Sequence, residues 1–264
     1  MDLTQAMTPE RTGETSFAWT IPDGWQQGKG AFGGLVMGAA IRAAEAVIAE
    51  PARALRAVTA ELMAPALVGA TDLEVAVLRT GSSVTVAAVA LRQAGQVVAH
   101  AVATFGKTRD DGTWTALVPP PLPAWEAAAI APVGAPVAPV FTGHFEFRPI
   151  TGLPFSGGGN ADHEVSGWVR PRAPGRERGA AYLAACVDAY WPVAMVSGTR
   201  PRAMATLTYT LQLVGALDPT DDRPLAYRAR ALAAGGGYVP EVRELWTADG
   251  ALVAVNPQTF ALSR

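Results

Sequence analysis

The 264-residue chain carries one pattern twice, and that duplication limits its folds more than any other feature. In the first copy, Phe17, Trp19 and Ile21 alternate as in a short strand. Gly30-Ala31-Phe32-Gly33-Gly34 then leads into an Ala-rich apolar helix over 35–49, closed by Pro51. Strands follow over 58–62, 72–79, 84–92 and 97–105, with tight turns at Thr80-Gly81-Ser82 and Ala94-Gly95. The second copy has strands over 144–147 and 166–169 and an apolar helix over 176–196. Its meander runs over 206–214, 225–233, 239–247 and 251–262. Ala94 to Phe105 lines up without gaps against Asp249 to Phe260. The period is far too long for a solenoid, so the reading is a duplicated domain. Each half is α+β, an antiparallel sheet that buries one long central helix by curling around it. The halves are expected at 1–107 and 140–264. Between them, 108–139 is crowded with proline (Pro119, Pro120, Pro121, Pro123, Pro132, Pro136, Pro139) and reads as a linker with no core of its own.

Composition removes whole classes of function. Hydrophobic residues make up 50% of the chain, enough for a real core. A net charge of −2 gives no general attraction to nucleic acid or anionic membrane, so neither is expected as a partner. The one cysteine, Cys186, excludes an intrachain disulfide and a cysteine-rich metal site. Met1 to Ser16 is too polar for a signal peptide, and the longest apolar runs are broken by charges or Pro192. A cytoplasmic location is the expectation.

Within the second helix one residue breaks the apolar pattern. Asp188 has Ala181, Ala184, Ala185, Trp191 and Met195 as neighbours at helical spacing, and no Lys or Arg on the helix pairs with it. A bare carboxylate is costly to bury, so it must meet water, a polar partner or a ligand. It is either aimed into a reaction cavity or held structurally by a loop or a solvated edge. The repeat sharpens the choice. Gln258 stands where the first half has Ala103, Thr206 near the place of Val58, and Asp188 close to Arg42. Polar groups gained in one copy only suggest a single site per chain.

Other chemistries find little support. His100, His144 and His163 are scattered without metal-ligand spacing, and no metal or cofactor is expected. His163, between Asp162 and Glu164, reads as a solvated loop. Gly157 to Gly159 and Gly235 to Gly237 lack a phosphate-loop signature, and there is no Gly-x-Ser-x-Gly elbow. Arg170, Arg172, Arg176 and Arg178 form a basic cluster that is either a solvated rim or a contact for phosphate groups.

Several of these residues carry a family likeness. Phe32-Gly33-Gly34 before an Ala-rich helix, Leu78-Arg79-Thr80-Gly81-Ser82-Ser83, Trp168-Val169-Arg170-Pro171 and Ala205-Thr206-Leu207 together resemble type II acyl-CoA thioesterases over nearly the whole chain. The resemblance implies a double hotdog fold and a catalytic set of Asp188, Thr206 and Gln258. It implies an acyl-CoA substrate whose thioester is cut by water. On this reading Asp188 is the general base, Thr206 and Gln258 hold the water, and Phe32-Gly33-Gly34 meets the ligand, the glycine amides facing the oxyanion. Hotdog relatives bury their sheets by pairing, so a homo-oligomer is expected. The chain departs from the family in having Thr208-Tyr209-Thr210 where an Asp-His-Ser run is usual. The alternative is an acyl- or CoA-binding hotdog without catalysis.

Overall fold

A computed structural model describes every residue except 110, 111, 113, 137, 155–161, 199–201 and 264. The Gly-rich stretch from Ser156 to Asn160 lies outside the described residues. In chain order the elements are α1 (Leu3–Ala6), β1 (Glu10–Arg11), β2 (Ser16–Ile21), β3 (Gln26–Gln27), β4 (Gly30–Ala31), α2 (Gly33–Ile48), β5 (Arg53–Leu62), β6 (Gly69–Thr80), β7 (Val84–Gln93) and β8 (Gln96–Lys107). After two short 3-10 turns come β9 (Phe145–Thr151), β10 (Glu164–Pro171), α3 (Ala180–Asp188), α4 (Ala194–Ser197), β11 (Met204–Leu213), β12 (Leu225–Ala231), β13 (Tyr238–Trp246) and β14 (Leu252–Leu262).

Twelve strands form one sheet in the order β1-β2-β6-β7-β8-β5-β11-β14-β13-β12-β10-β9. The order reads as the same meander run outward twice from a central seam, where β5 and β11 pair antiparallel. This is the double hotdog, with α2 and α3 packed together in the sheet's concave face. Ten of the sixteen residues of α2 are buried, and eight of the nine in α3. Burying a side chain such as Leu35, Ile41 or Leu183 contributes roughly 1.5–3 kcal/mol, which outweighs the modest propensity terms of so many alanines.

The repeat holds in the register. Leu55 pairs with Phe105, Ala57 with Thr104 and Val58 with Ala103. In the second half Thr206 pairs with Phe260, Thr208 with Thr259 and Tyr209 with Gln258. Both strand pairs therefore carry a bulge at the same place. The counterpart of Thr206 is Leu55, and that of Val58 is Tyr209, a correction to the pairing expected from sequence. Arg42 and Asp188 each reach the start of the opposite helix: Arg42 binds Glu177 just before α3, and Asp188 binds Gly34 in α2.

Two sequence expectations change. The helix expected over 176–196 stops at Asp188. Pro192 supplies no N–H and biases its predecessor away from helical geometry, so the chain restarts only at Ala194. The stretch Ala180–Ser197 has a mean hydropathy of 1.2 over 18 residues, in the range of a membrane span, yet 72% of it is buried inside the fold.

The proline-rich segment is also more than a linker. Leu117, Leu122, Trp125 and Ala128 pack on Trp168, Ala226, Trp246 and Leu252 as a second apolar cluster. Trp125 meets two guanidinium groups, 5.0 Å from that of Arg148 and 5.1 Å from that of Arg170. Arg148 donates to the carbonyls of Trp125 and Ala128, and Trp168 Nε1 to that of Pro123. Prolines cannot join a ladder, so a proline-rich segment is laid down by side-chain donors of this kind. Two cation–π contacts are worth about 1–2 kcal/mol together. Trp125→Ala should therefore lower Tm by roughly 2–8 °C and make 115–128 the first segment cut in limited proteolysis. An unchanged Tm and cleavage pattern would show the strap to be idle.

Candidate active site

Strand alternation decides which side chains enter the space between the sheet and the helices. On β14, Ala254, Asn256, Gln258 and Phe260 share the buried face; on β13, Val239, Glu241, Arg243 and Leu245 do. On β11, Tyr209 and Leu211 point inward, so strict alternation would turn Thr206 outward with Thr208 and Thr210. The bulge between Thr206 and Thr208 reverses that phase. Thr206 then faces the same side as its partner Phe260.

Asp188 ends α3, where the helix dipole is unfavourable to a carboxylate. Its compensation comes from three other elements. Gly34 N–H, in the first turn of α2, donates to Oδ2 at 2.7 Å. Gln258 Nε2 donates to Oδ1 at 2.8 Å and Arg243 Nη1 to the same oxygen at 3.1 Å. Arg243 also donates through Nε to Glu241 Oε1 at 2.8 Å, and Glu241 Oε2 accepts from Val193 N–H at 2.8 Å. All of these groups are buried; Asp188 is 6% exposed and Arg243 1%. Burial raises the Asp188 carboxyl above the usual Asp range, against the opposing pull of Arg243, Gln258 and the Gly34 amide. Burial likewise raises Glu241 against the same arginine.

Gln258 is itself held. Its Nε2 donates to Asn256 Oδ1 at 2.6 Å, while Asn256 Nδ2 donates to the Thr210 carbonyl at 2.6 Å. Pro257 gives the ladder no N–H, and the Asn256 side chain satisfies the facing strand beside it. With both acceptors on one side, the amide orientation of Gln258 is fixed by its neighbours. Its Oε1 is buried without a protein partner among the described residues.

A cavity of about 580 Å³ opens next to this cluster. Gly33, Val36, Leu62, Met195, Thr206 and Phe260 are in its wall, and Lys29 and Arg202 lie on its border. A methyl group built on Gly33 would sit 2.8 Å from Asp188 Oδ2, so the carboxylate lies directly behind this glycine of the cavity wall, while Asp188 and Gln258 are themselves buried and do not line the cavity. Gly34 has a different reason: its methyl would lie 2.9 Å from Ala185 Cα, where the two helices cross.

A carboxylate held behind a glycine of the cavity wall by an amide, a guanidinium and a helix N-terminus suits chemistry in which water attacks a bound carbonyl. Residues 21–106 match the acyl-CoA thioesterase N-terminal domain, and residues 115–262, more than half the chain, match the acyl-CoA thioesterase C-terminal domain. The chain belongs to the acyl-CoA thioesterase family. It is a thioester hydrolase with the hotdog fold. The thioesterase is similar to a hotdog-fold protein of unknown function from Alicyclobacillus acidocaldarius, at 27% identity and a TM-score of 0.89 over 99% of this chain and 98% of that one. It also resembles a putative thioesterase II from Thermobifida fusca (22% identity, TM-score 0.86, 100% and 98% covered). A third neighbour is the acyl-CoA thioesterase II TesB2 of Mycobacterium marinum (17%, 0.77, 99% and 98%). No curated protein matches the chain by sequence.

In the thioesterase, Asp188 and Gln258 are in direct contact, and Thr206 lines the cavity without a side-chain hydrogen bond among the described residues. Gly33 is on the cavity wall. The Gly34 N–H, expected to face the oxyanion, is taken by Asp188. Phe32, expected at the ligand, is fully buried and stacked on Phe141 at 4.4 Å. The arginine cluster is largely engaged within the chain. Arg170 pairs with Glu146, Arg178 with Asp222, and Arg172 donates to the Phe145 carbonyl. His163 is exposed, with Nδ1 2.8 Å from Ser197 Oγ, and Cys186 is fully buried, its thiol pushed up to about 12 by burial. Arg243, Glu241 and Asn256 were missed from sequence. The available signal was their spacing, because two charges and an amide fall at the same every-second positions as Val239, Leu245 and Phe260.

Proposed function

We propose that the thioesterase hydrolyses acyl-CoA with a water activated by Asp188 and oriented by Gln258, the acyl group lying in the 580 Å³ cavity. The observation that carries this reading is the Asp188 carboxylate fixed behind Gly33 by Gln258, Gly34 and Arg243. The water's oxygen bonds to the thioester carbon while its proton passes to Asp188, and the C–S bond then breaks to release CoA thiolate and the free acid. A thiolate is a stable leaving group, so little acid assistance is needed at that step. Gln258 Oε1, without a protein partner among the described residues, is suited to accept the water's other proton as a hydrogen bond. Gly33 is the first residue of α2 and its N–H has no acceptor within the helix, so it is the donor for the carbonyl oxygen. Lys29, exposed beside the cavity, and Arg202 supply positive charge for the phosphates of CoA.

A binding protein without catalysis is favoured by one feature: both Asp188 oxygens already accept protein donors. Two substitutions separate the readings. Gln258→Ala removes a hydrogen bond to a charged group and should lower kcat roughly ten- to a hundredfold. Thr206→Val removes a neutral hydroxyl and should cost roughly two- to tenfold in kcat, with KM little changed. Release of CoA thiol from a panel of acyl-CoAs measures both. Wild-type kcat in folded Gln258→Ala would remove the amide from the mechanism, and tight acyl-CoA binding with no release by the wild type would favour the binding reading.

A further inference from the structure

Arg243 and Glu241 are fully buried, the arginine paired with the Asp188 carboxylate and the glutamate with the arginine, and neither has a part in the water's attack. One guanidinium lies between two carboxylates, with Nη1 on Asp188 and Nε on Glu241. Its Nη1 is also 3.3 Å from the Val187 carbonyl, at the end of α3, and its Cζ lies 5.2 Å from the centre of the Phe260 ring on the cavity wall. Glu241 continues the chain of contacts to Val193, between the cavity residues Pro192 and Met195.

We infer that Arg243 and Glu241 are paired positioning residues that set the basicity of Asp188, the arginine holding the carboxylate ionised in a dry site and the glutamate limiting how far that charge weakens it as a base. This rests on the assignment of Asp188 as the base. An arginine bound to Asp188 alone would favour the carboxylate so strongly that it would accept a proton poorly. Shared with a second carboxylate, the same arginine stabilises the ion while leaving it basic. The groups around Asp188 from every packed element are Gly34 N–H on α2, Arg243 and, behind it, Glu241 on β13, Gln258 on β14, Tyr209 on β11 and Tyr227 on β12. Both tyrosine hydroxyls are pushed up by burial, so they stay neutral near pH 7. Arg243 is the cation of the set and Glu241 its second acid, and their charges act on Asp188 in opposite directions.

The test is the acid limb of kcat/KM against pH, taken on the full chain. In the wild type it should lie above the ordinary Asp value of about 4. Glu241→Gln removes the competing negative charge and should move the midpoint down by roughly one unit, with a lower plateau because the base is weaker. Arg243→Gln should move it up by about one to three units. Arg243→Lys, which keeps the charge but cannot bridge both carboxylates, should bring the midpoint back toward the wild type at a reduced rate. A purely structural role would lower activity and Tm without moving the limb in opposite directions. If Arg243→Gln does not fold, Glu241→Gln decides alone: a limb that stays, rises or disappears overturns the proposal. Loss of activity in folded Asp188→Asn with an unresponsive limb would overturn this inference and leave the base assignment intact. Retained activity in folded Asp188→Asn would overturn the base assignment itself, and this inference with it.

Discussion

Asp188→Asn is expected to lower turnover about a hundred- to ten-thousand-fold, the range associated with loss of a general base, and to lower Tm as well. The second effect follows from the hydrogen bonds. Asp188 accepts from Gly34 on one oxygen and from Gln258 and Arg243 on the other. An asparagine has one acceptor and one amide group. Placed either way round, it points N–H bonds at a donor, and it leaves Arg243 with Glu241 as its one anionic partner. Breaking a buried, hydrogen-bonded pair costs about 3–5 kcal/mol, which for a chain of this size is a fall of roughly 6–20 °C. The two effects are separable. Thiol release should be measured well below both melting temperatures, with folded fraction taken from calorimetry on the same preparation. If activity loss merely tracked the folded fraction, Asp188 would be structural. Near-wild-type turnover in the folded variant would end its assignment as base.

Gly34→Ala should be nearly as damaging, for steric reasons. Its methyl group would lie 2.6 Å from Phe32 Cε2, 2.9 Å from Ala185 Cα and 3.0 Å from the Ala184 carbonyl oxygen. Two of the three contacts are backbone, which no rotamer change relieves. The helices must move apart, and overpacking of this kind costs about 1–3 kcal/mol, or roughly 2–12 °C in Tm. The same movement draws the Gly34 N–H away from Asp188, so kcat should fall more than the stability loss alone explains. A Gly34→Ala protein with wild-type Tm would mean that α2 and α3 cross elsewhere in solution. One with reduced Tm but full kcat would show that the amide contact is dispensable.

How much of this was legible in the chain depends on the distance over which each feature is decided. The duplication, the strands, the start of α2 and the unusual character of Asp188 are local or periodic properties. They could be read because alternation, helical spacing and glycine–proline punctuation act within a few residues. The end of α3 was misplaced because alanine-rich apolar sequence favours helix beyond Asp188, and the restriction from Pro192 acts only on its near neighbours. The proline-rich strap was read as coreless because its core consists of Trp168, Ala226, Trp246 and Leu252, all of them far along the chain.

The site divides in the same way. Asp188, Thr206 and Gln258 could be singled out as polar residues in an apolar repeat. Their relation to one another could not. The bulge that turns Thr206 inward is a property of the β11–β14 pairing, and it shifts the match in the first half from Val58 to Leu55. Phe32 is enclosed because aromatic rings from two distant segments, Trp25 and Phe32 in one and Phe141 and Phe145 in the other, close on one another. Arg243 reaches Asp188 across 55 residues of chain, and Gln258 across 70. Sequence by itself determined which residues would be costly to bury. Only the tertiary structure decided which partners compensate that cost, because a buried charge is stabilised by whatever the fold brings within hydrogen-bond distance, and that is set by sheet register and helix crossing rather than by neighbours in the chain.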